Sequence, residues 1–208
     1  QRQMCIRDRV FATSSGNVRR NKLSDFRNVR ASGLIAMKLD EDDHLIGVAT
    51  CRDGDDVFLA TKLGRCIRFQ ISDETLRVFS GRDSTGVRGI KLGKDDEVMS
   101  LCVLRHVEAS VEERAAYLKQ RNAAADEEGA VPEESDEAVA EIAISEEKIK
   151  ELGEAEEILL TVTDSGFGKR SSAYEYRVTG RGGQGVANIT LNAKRNGTAV
   201  SASFAVRP

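Results

Sequence analysis

Three glycines in the sequence are each followed, four residues later, by an arginine. The pairs are Gly16 and Arg20, Gly64 and Arg68, and Gly166 and Arg170. If each arginine lay on the same edge of a repeated unit, the three would form a continuous basic belt spaced to meet phosphate groups. The alternative is structural, because a strand beside a turn often ends in a solvated arginine and duplication alone would repeat it.

Other basic residues lie close to these arginines along the chain and support such a belt. With them, the predicted phosphate contacts are Arg19, Arg20, Lys22, Arg65, Arg68, Arg88, Lys91, Lys169, Arg170 and Arg181. Contacts of this kind release counterions and position nucleic acid, but they do not read its sequence. The sequence has neither a recognition helix nor an interleaved set of aromatic residues for stacking on single strands. We therefore expect binding of duplex DNA without strong sequence preference.

The elements that must position these residues form an internal repeat. Its first half reads FATSSGNVRR, LATKLGRCIR and TVTDSGFGKR, and its second half reads GLIAMKL, GVRGIKL and GVANITL. Short apolar runs separated by turn residues predict strands, and TSSG, TKLG and TDSG predict hairpin turns whose glycine supplies a positive φ. The second half predicts a third strand, and the apolar run after the following turn predicts a fourth. The expected fold is all-β, a partial propeller-like or pinwheel array of about three four-stranded blades.

The spacing of the repeats reveals an insertion. Gly16 and Gly64 are 48 residues apart, whereas Gly64 and Gly166 are 102 apart. We place the blades at residues 10–56, 57–106 and 158–208, and a mainly helical and disordered acidic insertion at 107–157. Within the insertion, Ser110 and Glu113 predict a capping box with Val111, Ala115 and Leu118 on one helix face, residues 122–135 predict disorder, and Ser145 opens a second helix that ends near Gly153. Residues 1–9 fit no repeat and are set aside as a foreign or artefactual segment, with a native loop as the alternative.

The charge is segregated along the chain. Of 34 acidic and 31 basic residues in total, residues 107–157 hold 17 acidic and 5 basic ones, which leaves 17 acidic and 26 basic residues elsewhere. A basic body interrupted by one acidic stretch is typical of a protein that binds polyanions. We hypothesise that the insertion competes with DNA for the basic edge.

Several other functions find little support in the sequence. Neither the four cysteines nor the two histidines have the spacing of a zinc site, and the pairs Asp42/Asp43 and Asp95/Asp96 are typical of turns. The tyrosines Tyr117, Tyr174 and Tyr176 lie in no recognisable nucleophile context, and the last two alternate as packed strand residues do. We therefore predict no catalytic residue and no metal. Unpaired cysteines and the absence of a long apolar run or signal peptide favour a reduced, cytoplasmic location.

The glycine-rich stretch GRGGQG at 180–185 lies between two β runs. No helix follows it, so a nucleotide site is disfavoured. A basic loop on the DNA backbone and a plain loop remain open.

The ordered motifs resemble the C-terminal domain of the DNA gyrase A-subunit family of type II topoisomerases. The stretches that carry the resemblance are VFATSSGNVRRNKLSDF, SGLIAMKLDEDDHLIGV, TGVRGIKLGKDDEVMSL and LTVTDSGFGKRSSAYEY. The resemblance implies internal blades of a six-bladed β-pinwheel that wraps duplex DNA and so supports ATP-dependent negative supercoiling. One departure is that the family's box Q-R-R-G-G-K-G is missing, and TGRGGQG at 179–185 is only a degenerate form of it.

The same resemblance implies where the other activities of the enzyme lie. The catalytic tyrosine, the ATP and the Mg²⁺ are expected outside this chain, which itself needs no cofactor. The implied partners are duplex DNA, the rest of the gyrase A protein and the gyrase B protein in an A2B2 holoenzyme, associated with the chromosome and not with a membrane. Two alternatives remain open: the corresponding domain of topoisomerase IV, and a propeller-like module that binds a protein.

Overall fold

A computed structural model describes residues 8–29, 31–126 and 144–206 of the chain. The strands in these ranges are β1 (Asp8–Thr13), β2 (Asn17–Lys22), β3 (Leu45–Cys51), β4 (Asp56–Thr61), β5 (Arg65–Gln70), β6 (Val78–Phe79), β7 (Val87–Arg88), β8 (Val98–Leu104), β9 (Ile158–Thr163), β10 (Gly168–Ser172), β11 (Val186–Ala187) and β12 (Val200–Val206). The helices are α1 (Val111–Asp126) and α2 (Glu146–Ala155). The predicted all-β array with a helical insertion is confirmed.

Each predicted hairpin is present. β1 pairs with β2, β4 with β5, and β9 with β10, all antiparallel. The glycines of the three turns, Gly16, Gly64 and Gly166, have φ values of 85°, 82° and 79°. In this left-handed region a side chain would be strained, which explains why glycine recurs there.

The predicted third strand does not join the sheet of its own repeat. β7, from the second repeat, pairs with β2 of the first, and β11, from the third repeat, pairs with β5 of the second. In the first repeat, residues 33–39 form no strand. The expectation that each repeat folds into its own four-stranded blade is therefore wrong, because every sheet that receives such a strand takes it from the following repeat.

Backbone hydrogen bonds fix this exchange at the hairpin turns. The donors and acceptors, with N···O distances, are Gly89 to Gly16 (2.8 Å), Ile90 to Gly16 (3.3 Å), Asn188 to Gly64 (2.8 Å) and Ile189 to Gly64 (3.1 Å). The approach is close: a β-carbon on Gly185 would lie 2.2 Å from the carbonyl oxygen of Cys66. Only glycine allows the backbones to come so near to each other.

The sheet of the second repeat, with the strand order β11-β5-β4-β8, is buried on both faces at β4. Val57 and Leu59 of β4 point into a core shared with the first repeat, whereas Phe58 and Ala60 belong to a core that contains Leu159 of the third. All six residues of β4 are buried. The continuous apolar run VFLA, without polar alternation, is what a strand covered on both sides requires.

The acidic turns hold the hairpin turns in place. The Asp43 carboxylate accepts hydrogen bonds from the backbone N–H and the hydroxyl of Ser15 at 2.9 and 2.6 Å. Asp96 accepts from the backbone N–H of Leu63 at 2.9 Å in the second repeat. In the third repeat the aspartate is in the hairpin turn instead: Asp164 accepts hydrogen bonds from the backbone N–H and the hydroxyl of Thr198, which lies in the later turn. This exchange explains why the third repeat lacks the acidic pair.

The insertion folds into two helices over its described residues. Ser110 and Glu113 form the predicted capping box, and Ser145 caps α2. The prediction of disorder from 122 is wrong as far as Asp126, where α1 ends, and residues 127–135 lie outside the described ranges. The predicted apolar face of α1 is also wrong at Val111, which is 59% exposed. None of the described helices is long and apolar enough to cross a membrane.

The N-terminal prediction also needs correction. Asp8 and Arg9 pair with β2 and β3 as part of β1, so they belong to the first repeat. Residues 1–7 of the segment set aside lie outside the described ranges. The other repeat boundaries stay predictions, although β4 begins at Asp56, one residue before the boundary placed at 57.

The equivalent turn glycines allow a direct test of the docking contact. A β-carbon on Gly64 would lie 2.3 Å from the Ile189 carbonyl oxygen, whereas one on Gly166 would meet nothing within 4 Å. We expect Gly166→Ala to cost about 1–2 kcal/mol through the positive φ alone. Gly64→Ala should cost a further 1–3 kcal/mol or so, because the next repeat must shift. Urea unfolding of the two variants measures the difference, and equal losses would show that the contact contributes nothing.

Candidate nucleic-acid interface

The structure separates the predicted phosphate contacts into a buried and a solvent-facing group. Arg19, Arg20 and Arg68 are 1%, 4% and 3% exposed. The remaining seven reach the surface wholly or in part: Lys22, Arg65, Arg88, Lys91, Lys169, Arg170 and Arg181. The prediction that Arg20, Arg68 and Arg170 form a continuous basic belt is therefore wrong, since Arg20 and Arg68 are buried.

Arg20 and Arg68 are buried because each forms an ion pair with an aspartate on the first strand of its own hairpin. Arg20 Nε lies 2.8 Å from Asp8 Oδ2, and Arg68 Nη2 lies 2.7 Å from Asp56 Oδ2. Burial lowers the pKa of Arg20, but the hydrogen bonds to Asp8 and Asp53 outweigh it and hold this pKa above its usual value. These arginines therefore stabilise the sheets.

The third repeat shows why Arg170 differs. In both buried pairs the aspartate precedes the arginine by 12 residues, and the residue 12 positions before Arg170 is Ile158. The strand register is the same, with Arg170 opposite Leu160 as Arg68 is opposite Phe58. With no carboxylate at that position, Arg170 is exposed on β10.

Arg68 also links consecutive repeats. Its Nη1 donates to the backbone carbonyl of Ala173 at 2.6 Å, in the third repeat. The other oxygen of Asp56 is 2.9 Å from Nδ1 of His106, the last residue before the insertion. The charged pair thus sits where the second sheet, the third repeat and the insertion meet.

Four predicted cations do come together, at a place that joins two repeats. We call Arg65, Arg88, Lys91 and Arg181 the junction cluster. Arg181 Nη1 donates to the Arg88 carbonyl at 3.1 Å, and the backbone N–H of Lys91 donates to the Gly183 carbonyl at 2.8 Å. Arg65 donates to the carbonyls of Gln184 and Gly185, on the loop that follows Arg181.

The junction cluster carries positive charge without compensation. Among the described residues, none of its four members forms an ion pair with a carboxylate. Arg65 and Arg181 use their guanidinium groups on backbone carbonyls, whereas the side chains of Arg88 and Lys91 are exposed. The arrangement can attract a polyanion and place two flexible cations against it.

The glycine-rich stretch 180–185 is a loop that builds this cluster. Gly182 donates its N–H to the Gly89 carbonyl at 2.6 Å, so the loop packs on residues 87–91 of the second repeat, the crossing segment that pairs with β2 of the first. It leads into β11 and not into a helix, so the geometry of a nucleotide-binding loop is absent here. Lys22, Lys169 and Arg170 are not part of the cluster.

The described residues include three buried cysteines and three buried tyrosines. They contain no group of three or more potential metal ligands. Burial raises the pKa of Cys66 to about 12, well above that of a reactive thiol. Tyr174 and Tyr176 are buried packing residues as expected, but neither lies in a strand: Tyr174 is in a short 3₁₀ turn and Tyr176 directly follows it.

The described part of the insertion packs on the third repeat. Tyr117 of α1 and Leu152 of α2 form a small core with Tyr174, which follows β10. Among the described residues, the ion pairs made by acids of the insertion reach only Arg121, Lys148, Lys150 and His106. The hypothesis that the insertion competes for the basic edge stays a prediction, with no contact here to support it.

Comparison with known proteins gives the family context of this arrangement. A model of the family described as "DNA gyrase C-terminal domain, beta-propeller" matches residues 10–52, 55–101 and 157–203. The chain is 66% identical to the DNA gyrase A protein of Granulibacter bethesdensis over 96% of its length and 46% identical to that of Rickettsia conorii over 89%. It spans only 22% and 20% of these relatives, or about a fifth of each.

Solved structures show the same fold at low sequence identity. The C-terminal domain of a DNA topoisomerase IV aligns with a TM-score of 0.65 at 18% identity, over 98% of this chain and 47% of that one. The C-terminal domain of E. coli ParC aligns with a TM-score of 0.57 at 14% identity, over 99% of this chain and 63% of that one.

The buried arginine pairs predict a strong contrast between repeats. Arg68→Met leaves Asp56 buried without its counter-charge, and we expect a loss of about 3–5 kcal/mol in the free energy of unfolding. The matched change Arg170→Met, at the equivalent but exposed position, should stay within about 0.5 kcal/mol of the parent. Denaturant titration followed by circular dichroism measures both. Equal effects would mean that the buried pair has no structural role.

Proposed function

Because the chain belongs to the DNA gyrase C-terminal domain family, we propose that it binds duplex DNA without reading its sequence and helps to wrap that DNA for ATP-dependent negative supercoiling. The observation that carries this proposal is the junction cluster, in which four cations of the second and third repeats meet with no carboxylate partner among the described residues. A cluster of this kind suits the regularly spaced phosphates of a duplex.

Within the cluster the members have different tasks. The guanidinium groups of Arg65 and Arg181 hold the glycine-rich loop and the crossing segment through backbone carbonyls. Arg88 and Lys91, whose side chains have no partner among the described residues, contact the phosphates. The exposed Gly183 adds no side chain, so a sugar–phosphate backbone can approach the loop closely.

The same geometry argues against base-specific recognition. α1 and α2 form a small core with Tyr174 that includes no residue of the junction cluster, so neither described helix is held against the cluster to enter a groove of DNA. The contacts available are cations and backbone groups, which position DNA without discriminating between sequences.

We further propose that the catalytic and ATP-dependent activities of the whole enzyme lie outside this chain. The chain would act as part of the gyrase A protein together with the gyrase B protein, in the cytoplasm and on the chromosome. The ATP, the Mg²⁺ and the catalytic tyrosine would be bound or supplied by other parts of that assembly. The chain's own residues would hold and bend the DNA segment.

A component of topoisomerase IV is the second candidate, since the topoisomerase IV domain shares the fold. The higher identity to gyrase A proteins, 66% in one case, favours gyrase. A module that binds a protein instead of DNA is the remaining alternative, and the binding measurement below separates it from both.

Removing the free cations of the cluster should weaken DNA binding and its dependence on salt. For Arg88→Gln and for Lys91→Gln we expect lower affinity for any duplex, and a slope of log affinity against log salt that falls by about one unit for each change. Fluorescence anisotropy with two unrelated duplexes at several salt concentrations measures both quantities.

The matched control is Lys150→Gln, which removes one exposed positive charge from α2. It should leave affinity and slope nearly unchanged. If the parent chain does not bind duplex DNA, or if all three variants lose affinity equally, the proposal that the junction cluster is the interface is wrong.

In the full-length gyrase A protein the same changes should separate wrapping from strand passage. We expect Arg88→Gln combined with Lys91→Gln to reduce ATP-dependent supercoiling by the reassembled holoenzyme, while relaxation of supercoiled DNA without ATP is retained. Agarose-gel assays of both reactions provide the measurement. Equal loss of the two activities would contradict a role restricted to wrapping.

A further inference from the structure

Two equivalent grooves lie between the hairpins and the segments that cross from the following repeat. The first has a volume of about 330 Å³ and is lined by Arg19, Arg77, residues 78–81, Asp83 and Ser84. The second has a volume of about 200 Å³ and is lined by Ile67, Arg177, Thr179, Gly180 and residues 183–186. Arg19 and Ile67 each follow the turn glycine by three residues, so this equivalent position is charged in the first groove and apolar in the second.

The cation in the first groove is buried without a counter-charge. Arg19 is 1% exposed, and its hydrogen-bond acceptors are neutral: Asn21 Oδ1 at 2.7 Å, the hydroxyl of Ser84 at 3.3 Å, and the backbone carbonyls of Ser84 and Gly81. A guanidinium group has five N–H donors. These four acceptors leave one N–H of Nη2 without a partner among the described residues.

Arg19 differs from the other two buried arginines, Arg20 and Arg68, in the charge of its partners. Arg20 and Arg68 are equally buried, but each faces a carboxylate at less than 3 Å. A buried charge that lacks a counter-ion is costly. Burial accordingly lowers the pKa of Arg19, and Asp83 and Asp25 oppose this only by longer-range attraction.

A second cation stands at the mouth of the same groove. The Arg77 guanidinium lies 5.2 Å from the centre of the Phe79 ring, and the Arg19 guanidinium lies 5.0 Å from the same ring. Arg77 is exposed, so its side chain can turn toward a ligand. The hydroxyls of Ser80 and Ser84 add neutral donors to the lining.

We propose that this groove binds a phosphoryl oxyanion, with Arg19 at its floor and Arg77 at its mouth. A tetrahedral dianion supplies the negative charge that Arg19 lacks, accepts its remaining N–H and fits within about 330 Å³. The occupant is either a backbone phosphate of DNA or a free phosphate group. The site is separate from the junction cluster and does not depend on the proposed function.

The test uses the 208-residue chain and inorganic phosphate. Isothermal titration in a non-phosphate buffer, at constant ionic strength set with chloride, measures the affinity for phosphate. We expect R19I, which installs the residue of the second groove, to weaken phosphate binding about tenfold or more. We expect R77Q to weaken it about threefold, and R177Q, its counterpart in the second groove, to leave it unchanged.

The proposal fails if phosphate binds the parent chain no better than chloride does, or if R19I binds phosphate as well as the parent. It also fails if R77Q and R177Q reduce the affinity equally, because the effect would then be one of general surface charge. Should R19I not fold, the comparison of R77Q with R177Q still decides the matter.

A duplex titration then identifies the source of the phosphate. If R19I also weakens duplex binding and phosphate competes with the duplex, the occupant is a DNA phosphate. If duplex affinity is unchanged, it is a free phosphate group. Phosphate binding without any duplex binding would support this site while overturning the proposed function.

Discussion

The rest of the structure depends on a backbone contact between successive repeats, in which a turn carbonyl of one hairpin accepts two N–H groups from the next repeat. At Gly64 the donors are Asn188 and Ile189, and Ile189 is buried there. The contact brings the glycine-rich loop against the crossing segment that carries Arg88 and Lys91. Both the junction cluster and the two grooves exist because of it, since each is built from residues of consecutive repeats.

Local features of the fold could be predicted from the sequence, and non-local ones could not. The hairpin turns and the caps at Ser110 and Ser145 depend on residues within a few positions of one another, and all were confirmed. The partner of the third strand depends on which sheet edge is open in space, which periodicity does not contain. The continuous apolar run of β4 did carry a signal that this strand is covered on both faces.

At the candidate site, too, residue types can be read from the sequence but their spatial arrangement cannot. Its four cations can be listed from the sequence, but their meeting at one place follows from the strand exchange. The burial of Arg20 and Arg68 had a signal that the repeat alone obscured: an aspartate 12 residues upstream of each, replaced by Ile158 in the third repeat. A recurrent arginine is therefore informative only together with the residue it faces, because a carboxylate on the adjoining strand draws it inward.

The strand exchange also means that the unit of sequence duplication and the unit of folding are out of phase. A sheet completed by β11 cannot be whole until the following repeat has been synthesised and docked. The sheets of the first two repeats therefore depend on the repeat that follows, and loss of that repeat would remove one strand from the preceding sheet. In a linear array this strengthens the coupling between neighbours, so the chain should melt in a single cooperative step and not repeat by repeat.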